Sequence, residues 1–242
     1  MESHFDQLAT RSTTRAVGIL YIFIVLCSVF SILYVPSKLF VHEDIATTVS
    51  NIRTFNSLFR LSLLCDIIVF LCEIILAVLL YQLLKHVSSK LSMIAVLYRL
   101  AMAFVMSINL LNYFFVLILL SGASYLVVFE TNQLYALVML FIKAHEYGEY
   151  IWSIFFAFHL MVFGYLIFKS RFFPKAPGIL MMIGCLGHLL ESFKNFLIPD
   201  NETLTIIISV FLLFSFVGEM SFVFWLLFKK RKNQDLTIVN VD

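Results

Sequence analysis

Charge is what this chain has least of. Among 242 residues there are 17 Lys and Arg and 15 Asp and Glu, or 13%, about half of what a soluble domain carries. So few charges cannot solvate a globular surface, and a net charge of +2 supplies no basic excess for nucleic acid. Proline is held to four and glycine to eight. That scarcity, beside the excess of apolar residues, excludes a disordered chain. The four cysteines, Cys27, Cys65, Cys72 and Cys185, all fall inside apolar runs, where a thiol behaves as a small apolar group. Neither a secreted disulfide scaffold nor a Cys-x-x-Cys metal site can be built from them.

What the chain has in excess is apolar surface: 62% hydrophobic residues, 27 Phe and a mean hydropathy of +0.98. Six apolar runs stand between polar boundaries: Ala16 to Val35, Leu61 to Leu84, Ile94 to Leu120, Ile151 to Phe168, Ile179 to Leu197 and Leu204 to Phe228. Each is long enough to cross a hydrocarbon core of about 30 Å as a helix. The pattern predicts an all-α fold, a polytopic membrane bundle of six transmembrane helices. Pro36, Pro174, Pro177 and Pro199 fall at or beyond the ends of these runs, where a missing N–H costs little. With Gly and Pro sparse in the span centres, no broken span is expected, and the usual signature of a secondary transporter is missing.

Positive charge sets the orientation. Six spans collect Arg11, Arg15, Lys85, Lys90, Arg99, Lys169, Arg171, Lys175 and the run Lys229, Lys230, Arg231, Lys232 on one side. Only Lys38, Arg53, Arg60, Lys143 and Lys194 stand on the other, so both termini are expected in the cytoplasm, with residues 1–15 as a leader, 16–228 as one membrane domain and 229–242 as a basic tail. A seventh span over Leu134 to Ile142 would reverse the last clusters, and nine residues are too few to cross. The first run exceeds a signal-peptide h-region and lacks a small-x-small cleavage pattern, so it reads as a signal anchor.

Both longer outer loops carry helical signals. After Asp44, a plausible N-cap, Ile45, Val49, Ile52, Phe55 and Phe59 recur at helical spacing, which predicts a short amphipathic helix on the outer surface. In the second, Thr131 or Asn132 as a cap opens Leu134 to Tyr147, an amphipathic stretch that can run directly into the fourth span. Such a helix, of about 55 Å, would protrude, bend near Gly148 or lie along the interface.

The chemistry lies in polar groups at membrane depth, where an unpaired ionisable group costs a few kcal/mol or more. Asp66 and Glu73 share a face of the second span; Arg99, Met102, Met106, Asn109 and Tyr113 form a stripe on the third, with Asn112 beside it. His145, Glu149, Trp152, Phe156 and His159 share a face leading through the fourth; His188 and Glu191 stand on the fifth, Ser215 and Glu219 on the sixth. Counted from each span's midpoint, Glu73, Asn109, His159, His188 and Glu219 fall within about 5 Å of one plane, with Asp66, Asn112 and Glu191 slightly outward. Five helices thus offer one polar group each to a central site. The bland readings are interhelical hydrogen bonds for the acids, histidines and amides, and a snorkelling Arg99, with a pair to Glu73 or Glu219 as its alternative.

Three function classes follow: transport or proton and cation relay through Asp66, Glu73, His159 and Glu219; a metal-dependent hydrolase or other lipid-active enzyme, with a divalent metal on His145, Glu149, His159, His188 and Glu191; or a sensor or scaffold. His145 and Glu149 alone are half of a zinc helix, lacking the second His of His-Glu-x-x-His. The lipid bilayer is the expected partner and a small ion or small molecule the expected ligand; nothing sets an oligomeric state.

Many short pieces resemble a known family: Asn51-Ile52, Leu58-Phe59-Arg60, Asp66, Leu80-Tyr81, Leu83-Leu84-Lys85, Tyr98-Arg99-Leu100, His145, Phe155-Phe156, Gly164-Tyr165-Leu166-Ile167 and Phe173-Pro174. Together they resemble the bacterial membrane family catalogued as domain of unknown function 4386, from about Arg15 to Phe196. The resemblance implies an inner-membrane protein of six or so helices and no particular activity. It puts Arg60, Asp66, Arg99 and His145 on matching positions and His188 where the family usually has an aromatic.

Overall fold

The computed structural model describes residues 4–42, 44–199 and 201–228, with side chains from residue 13 onward; the proposed tail at 229–242 lies outside the described residues. Every regular element described is helical. In chain order these are α1 (His4–Ser28), a π-helical turn (Val29–Tyr34), α2 (Val35–Leu39), α3 (Ile45–Thr54), α4 (Asn56–Leu84), α5 (Ser89–Asn109), α6 (Leu111–Leu119), a 3-10 turn (Ser124–Leu126), α7 (Thr131–Lys169), α8 (Lys175–Leu197) and α9 (Glu202–Phe228). They assemble into six helices long and apolar enough to span a membrane, the first running Thr13–Leu39 and the third Ser89–Leu119. Leu64, Leu71, Ile75, Leu97, Ile108, Ile206 and Leu213 stay exposed on the outer faces of α4, α5 and α9, which form the apolar belt that lipid covers.

Two of the six spans are irregular, which corrects the expectation that none is broken. In the first, Pro36 lies inside the span, so its ring and missing N–H disturb the ladder at Ile32. The chain answers with a π-turn, in which Val35 N–H donates to Phe30 O, five residues back. The third span loses its regular ladder between Asn109 and Leu111 with no Gly or Pro nearby. There Tyr113 N–H shifts to Leu110 O at 3.1 Å, leaving the Asn109 carbonyl out of the ladder.

The short outer helix α3 forms as read, with Asp44 Oδ1 accepting from Thr47 N–H at 2.9 Å. Its apolar face is packed in rather than laid on a surface: Val49 and Ile52 are fully buried, and the helix stops at Thr54, leaving Phe55 exposed. The second outer loop contains no separate helix; α7 is continuous over 39 residues, about 58 Å at 1.5 Å per residue. Its cap is Glu130, which forms a reciprocal capping box with Gln133, not Thr131 or Asn132.

Helices α7, α8 and α9 pack most closely. At Gly184 a Cβ would run into the backbone of Ser215, so α8 and α9 approach there as only a glycine allows. The interior divides into two apolar cores. One, in the half that holds the α4–α5 turn, includes Leu76, Leu80, Leu160, Phe163 and Phe222; the other, beneath α3, includes Leu39, Ile52, Phe59, Val116 and Ile142.

Candidate functional site

The polar residues at membrane depth do not form one site. They separate into three groups, because equal depth on different helices does not imply facing sides.

The first group is built around Arg99 of α5, which is buried and does not snorkel. Its Nε and Nη2 clasp both oxygens of Glu73 on α4, the Nη2 bond at 3.1 Å, the forked geometry that makes guanidinium and carboxylate a strong pair. Nη1 donates to Tyr21 Oη of α1 at 3.1 Å and to His159 Nε2 of α7 at 3.0 Å. Arginine only donates, so His159 Nε2 is an acceptor; its Nδ1 then carries the hydrogen given to Ala95 O at 2.9 Å. His159 is therefore the neutral, Nδ1-protonated tautomer. Tyr21 passes its own hydroxyl hydrogen to Glu219 Oε1 of α9 at 2.7 Å, and its ring lies beneath the guanidinium, 5.0 Å from ring centre to Cζ. Five helices contribute, and one guanidinium faces two carboxyls. In an apolar interior that count reaches neutrality only with one added proton or one bound cation.

The second group sits at the break of the third span. Asn109 Nδ2 donates to His145 O at 2.9 Å, and the freed Asn109 carbonyl receives Asn112 Nδ2 at 3.0 Å and His145 Nδ1 at 3.3 Å. Asn112 Nδ2 also donates to Asn109 Oδ1 at 2.9 Å. The amides thus replace the helical bond that is lost there. The His145 ring stacks on Tyr113 with centroids 3.7 Å apart, and its Nε2 lies 3.6 Å from Glu149 Oε1. Asp66, half-buried, belongs here and not with Glu73: its surroundings are Ser31 of the π-turn, His145 and Glu149.

The third group is His188, held between Ser153 Oγ at 3.0 Å on Nδ1 and Ser215 Oγ at 3.3 Å on Nε2. Phe156 meets it edge-on at 4.8 Å. Glu191 is half-buried one turn on, with Glu149 and Lys194 as its charged neighbours.

This division removes the expected metal centre. His145, His159 and His188 each bond within a different group, with Glu149 a neighbour of both His145 and Glu191, and among the described residues no three His, Cys, Asp or Glu side chains converge as ligands. The sequence pattern missed Tyr21, which links Arg99 to Glu219. A phenol in mid-span three residues beyond Gly18 was the available signal, because a buried Tyr hydroxyl seeks a partner.

The pattern of the domain of unknown function DUF4386 matches residues 16–229. The chain belongs to this family. The DUF4386 match takes in all six spans and every residue of the three groups. The chain is also similar to an uncharacterized protein of Archaeoglobus fulgidus, 26% identical over 165 residues, covering 68% of this chain and 81% of the relative. No solved structure matches the chain.

Proposed function

We propose that this membrane protein binds and relays a proton at the Arg99 group, with Glu219 as the carrier. The observation that carries the reading is the unequal charge count, one guanidinium and two carboxyls on five helices. Glu73 is committed to Arg99 by two bonds and serves as the fixed counter-ion. Glu219 has a single bond, from Tyr21, and is the group free to take or release the proton. Tyr21 accepts from Arg99 and donates to Glu219, so it orients the carboxyl that takes the proton, while Arg99 offsets the negative charge left when the proton departs. The cargo is a proton and not a hydrated ion because the interior beside Arg99 has room only for about one water.

Infrared titration of the full chain in lipid nanodiscs tests this. A protonated-carboxyl band that vanishes as pH rises, and is missing in Glu219→Gln with folding intact, is the expected result. A band absent from the wild type, or unchanged in Glu219→Gln, ends the reading.

The charge distribution supports an inner-membrane topology with both termini in the cytoplasm. Reporter fusions after Lys90 and Lys175 should report cytoplasm, and one between the fifth and sixth spans the periplasm. A reversed result at Lys175 refutes that topology.

A further inference from the structure

Arg99 has five N–H groups, and its bonds to Glu73, Tyr21 and His159 use four of them. One hydrogen on Nη2 is left over. Seven residues earlier on the same helix face stands Ser92, 2% exposed, whose Oγ has no hydrogen-bond partner among the described residues. A long helical side chain leans toward the helix N-terminus, so the guanidinium reaches back toward that hydroxyl. Both residues line one cavity of about 10 Å³, together with His159 and Tyr81 and with apolar walls from Leu80 and Phe163. That is the room of a single water, and two polar groups without partners are what a buried water needs.

The cavity also has a direction. Leu166 separates it from a larger pocket of about 280 Å³ beside the α4–α5 turn, lined by Val87, Ser88, Leu91, Tyr165 and Lys169. Ser88 and Lys169 put that pocket at the polar end of the bundle. Toward the other face, buried Val69, Met102, Met106 and Phe156 fill the space between the Arg99 and Asn109 groups.

We propose that the cavity is a water site held by Ser92 and Arg99, and that it connects the Arg99 group to the aqueous face bearing the α4–α5 turn and to that face alone. The proposal deepens the proton reading and rests on it for the cargo: the water is the point at which the aqueous side reaches the network, accepting from the spare Arg99 N–H and bonding to Ser92 Oγ. The water site itself is measurable without any titration of Glu219.

With the full chain labelled at arginine nitrogen and held in nanodiscs, the Arg99 side-chain N–H signals should exchange with water in the wild type. Ser92→Val fills the space and removes the hydroxyl, so exchange should slow by roughly tenfold or more and wait for local opening. Ser92→Ala removes the hydroxyl without filling the space and should slow the exchange less. An unmoved Glu73-bonded Arg99 Nε signal shows that each variant has kept its fold. No exchange in the wild type, or the same exchange in Ser92→Val, overturns the site. Sidedness is read with Ser92→Cys in a chain whose four native cysteines are serine, reconstituted in one orientation. Silver ion, close to water in size, should block the new thiol from the α4–α5 side; blocking from the opposite side overturns the route. Exchange that persists in Glu219→Gln while the carboxyl band is absent from the wild type would sink the relay and leave the water site standing.

Discussion

The two halves of the bundle solve the same problem differently. In the half around Arg99, polar groups meet side chain to side chain between uninterrupted helices: Glu73, Arg99, His159 and Glu219 all sit on regular α-turns. In the half around Asn109, side chains bond to backbone, and the helices that carry them lose their regular ladder at Leu110 and in the Val29–Tyr34 turn. A charge can be neutralised only by another charge, which must reach in from a neighbouring helix and leaves the ladder untouched. A neutral amide is satisfied by a carbonyl, and the nearest carbonyl at hand is one that the helix was using. Regular helix around the ion pair and an interrupted ladder around the amides follow from that difference.

The comparison breaks most visibly if the ion pair is halved. Arg99→Met leaves the Glu73 carboxyl buried without a cation and should lower stability by about 3–5 kcal/mol, read as a drop in Tm or denaturant midpoint in detergent. Adding Glu73→Met should recover most of that loss, since two apolar side chains of similar volume need no partner. If the double variant is as unstable as the single one, charge matching is not what holds this half together.

In the Asn109 half the largest effect should come from a residue with no polar atoms in its side chain. A Cβ on Gly148 would occupy the place of the Asn109 amide, so Gly148→Ala must displace the group that bridges to His145. Overpacking of this kind costs about 1–3 kcal/mol. Asn112→Ala removes two bonds made within the third span, one of them to the freed carbonyl, and should cost about 1 kcal/mol. Equal losses in the two variants would show that the amides act as simple glue and do not hold the break in the ladder.

Span number, the α3 cap and the burial of the stripe from Arg99 to Tyr113 were legible in the sequence, because each depends on local pattern: run length, a capping Asp, a repeat of 3.6. What the pattern placed at one depth the structure distributes sideways. Glu73, Asn109 and His188 lie near one plane by counting, yet each finds partners on a different pair of neighbouring helices. Depth is set by position along one helix, whereas lateral placement depends on helix order and rotation, which sequence periodicity does not encode. The break at Asn109 was invisible for a related reason. Gly and Pro announce a break, but Asn makes one only when a second helix supplies the partner, here His145 of α7.

Asp44 performs the same capture of backbone as Asn109, but outside the membrane, and sharpens the comparison at its weakest end. Its carboxylate takes Thr47 Oγ1 at 2.6 Å and Thr47 N–H at 2.9 Å, and these bonds, the hydroxyl first, hold its pKa below the usual carboxylate range. A group whose folded pKa is depressed stabilises the fold above its unfolded value of about 3.9. That contribution is lost as pH falls through the folded value. The side chain is fully exposed, so water competes for every bond and the effect should be small and local. Acidification should therefore loosen the first turn of α3, seen as faster hydrogen exchange at the Thr47 amide once intrinsic pH effects are subtracted, while α4 to α9 are unaffected. Asp44→Asn keeps a competent cap without a titrating group and should abolish the acid response. If the Asn variant loosens over the same pH range as the wild type, the response belongs to another group, and the bonds at Asp44 do not control the start of α3.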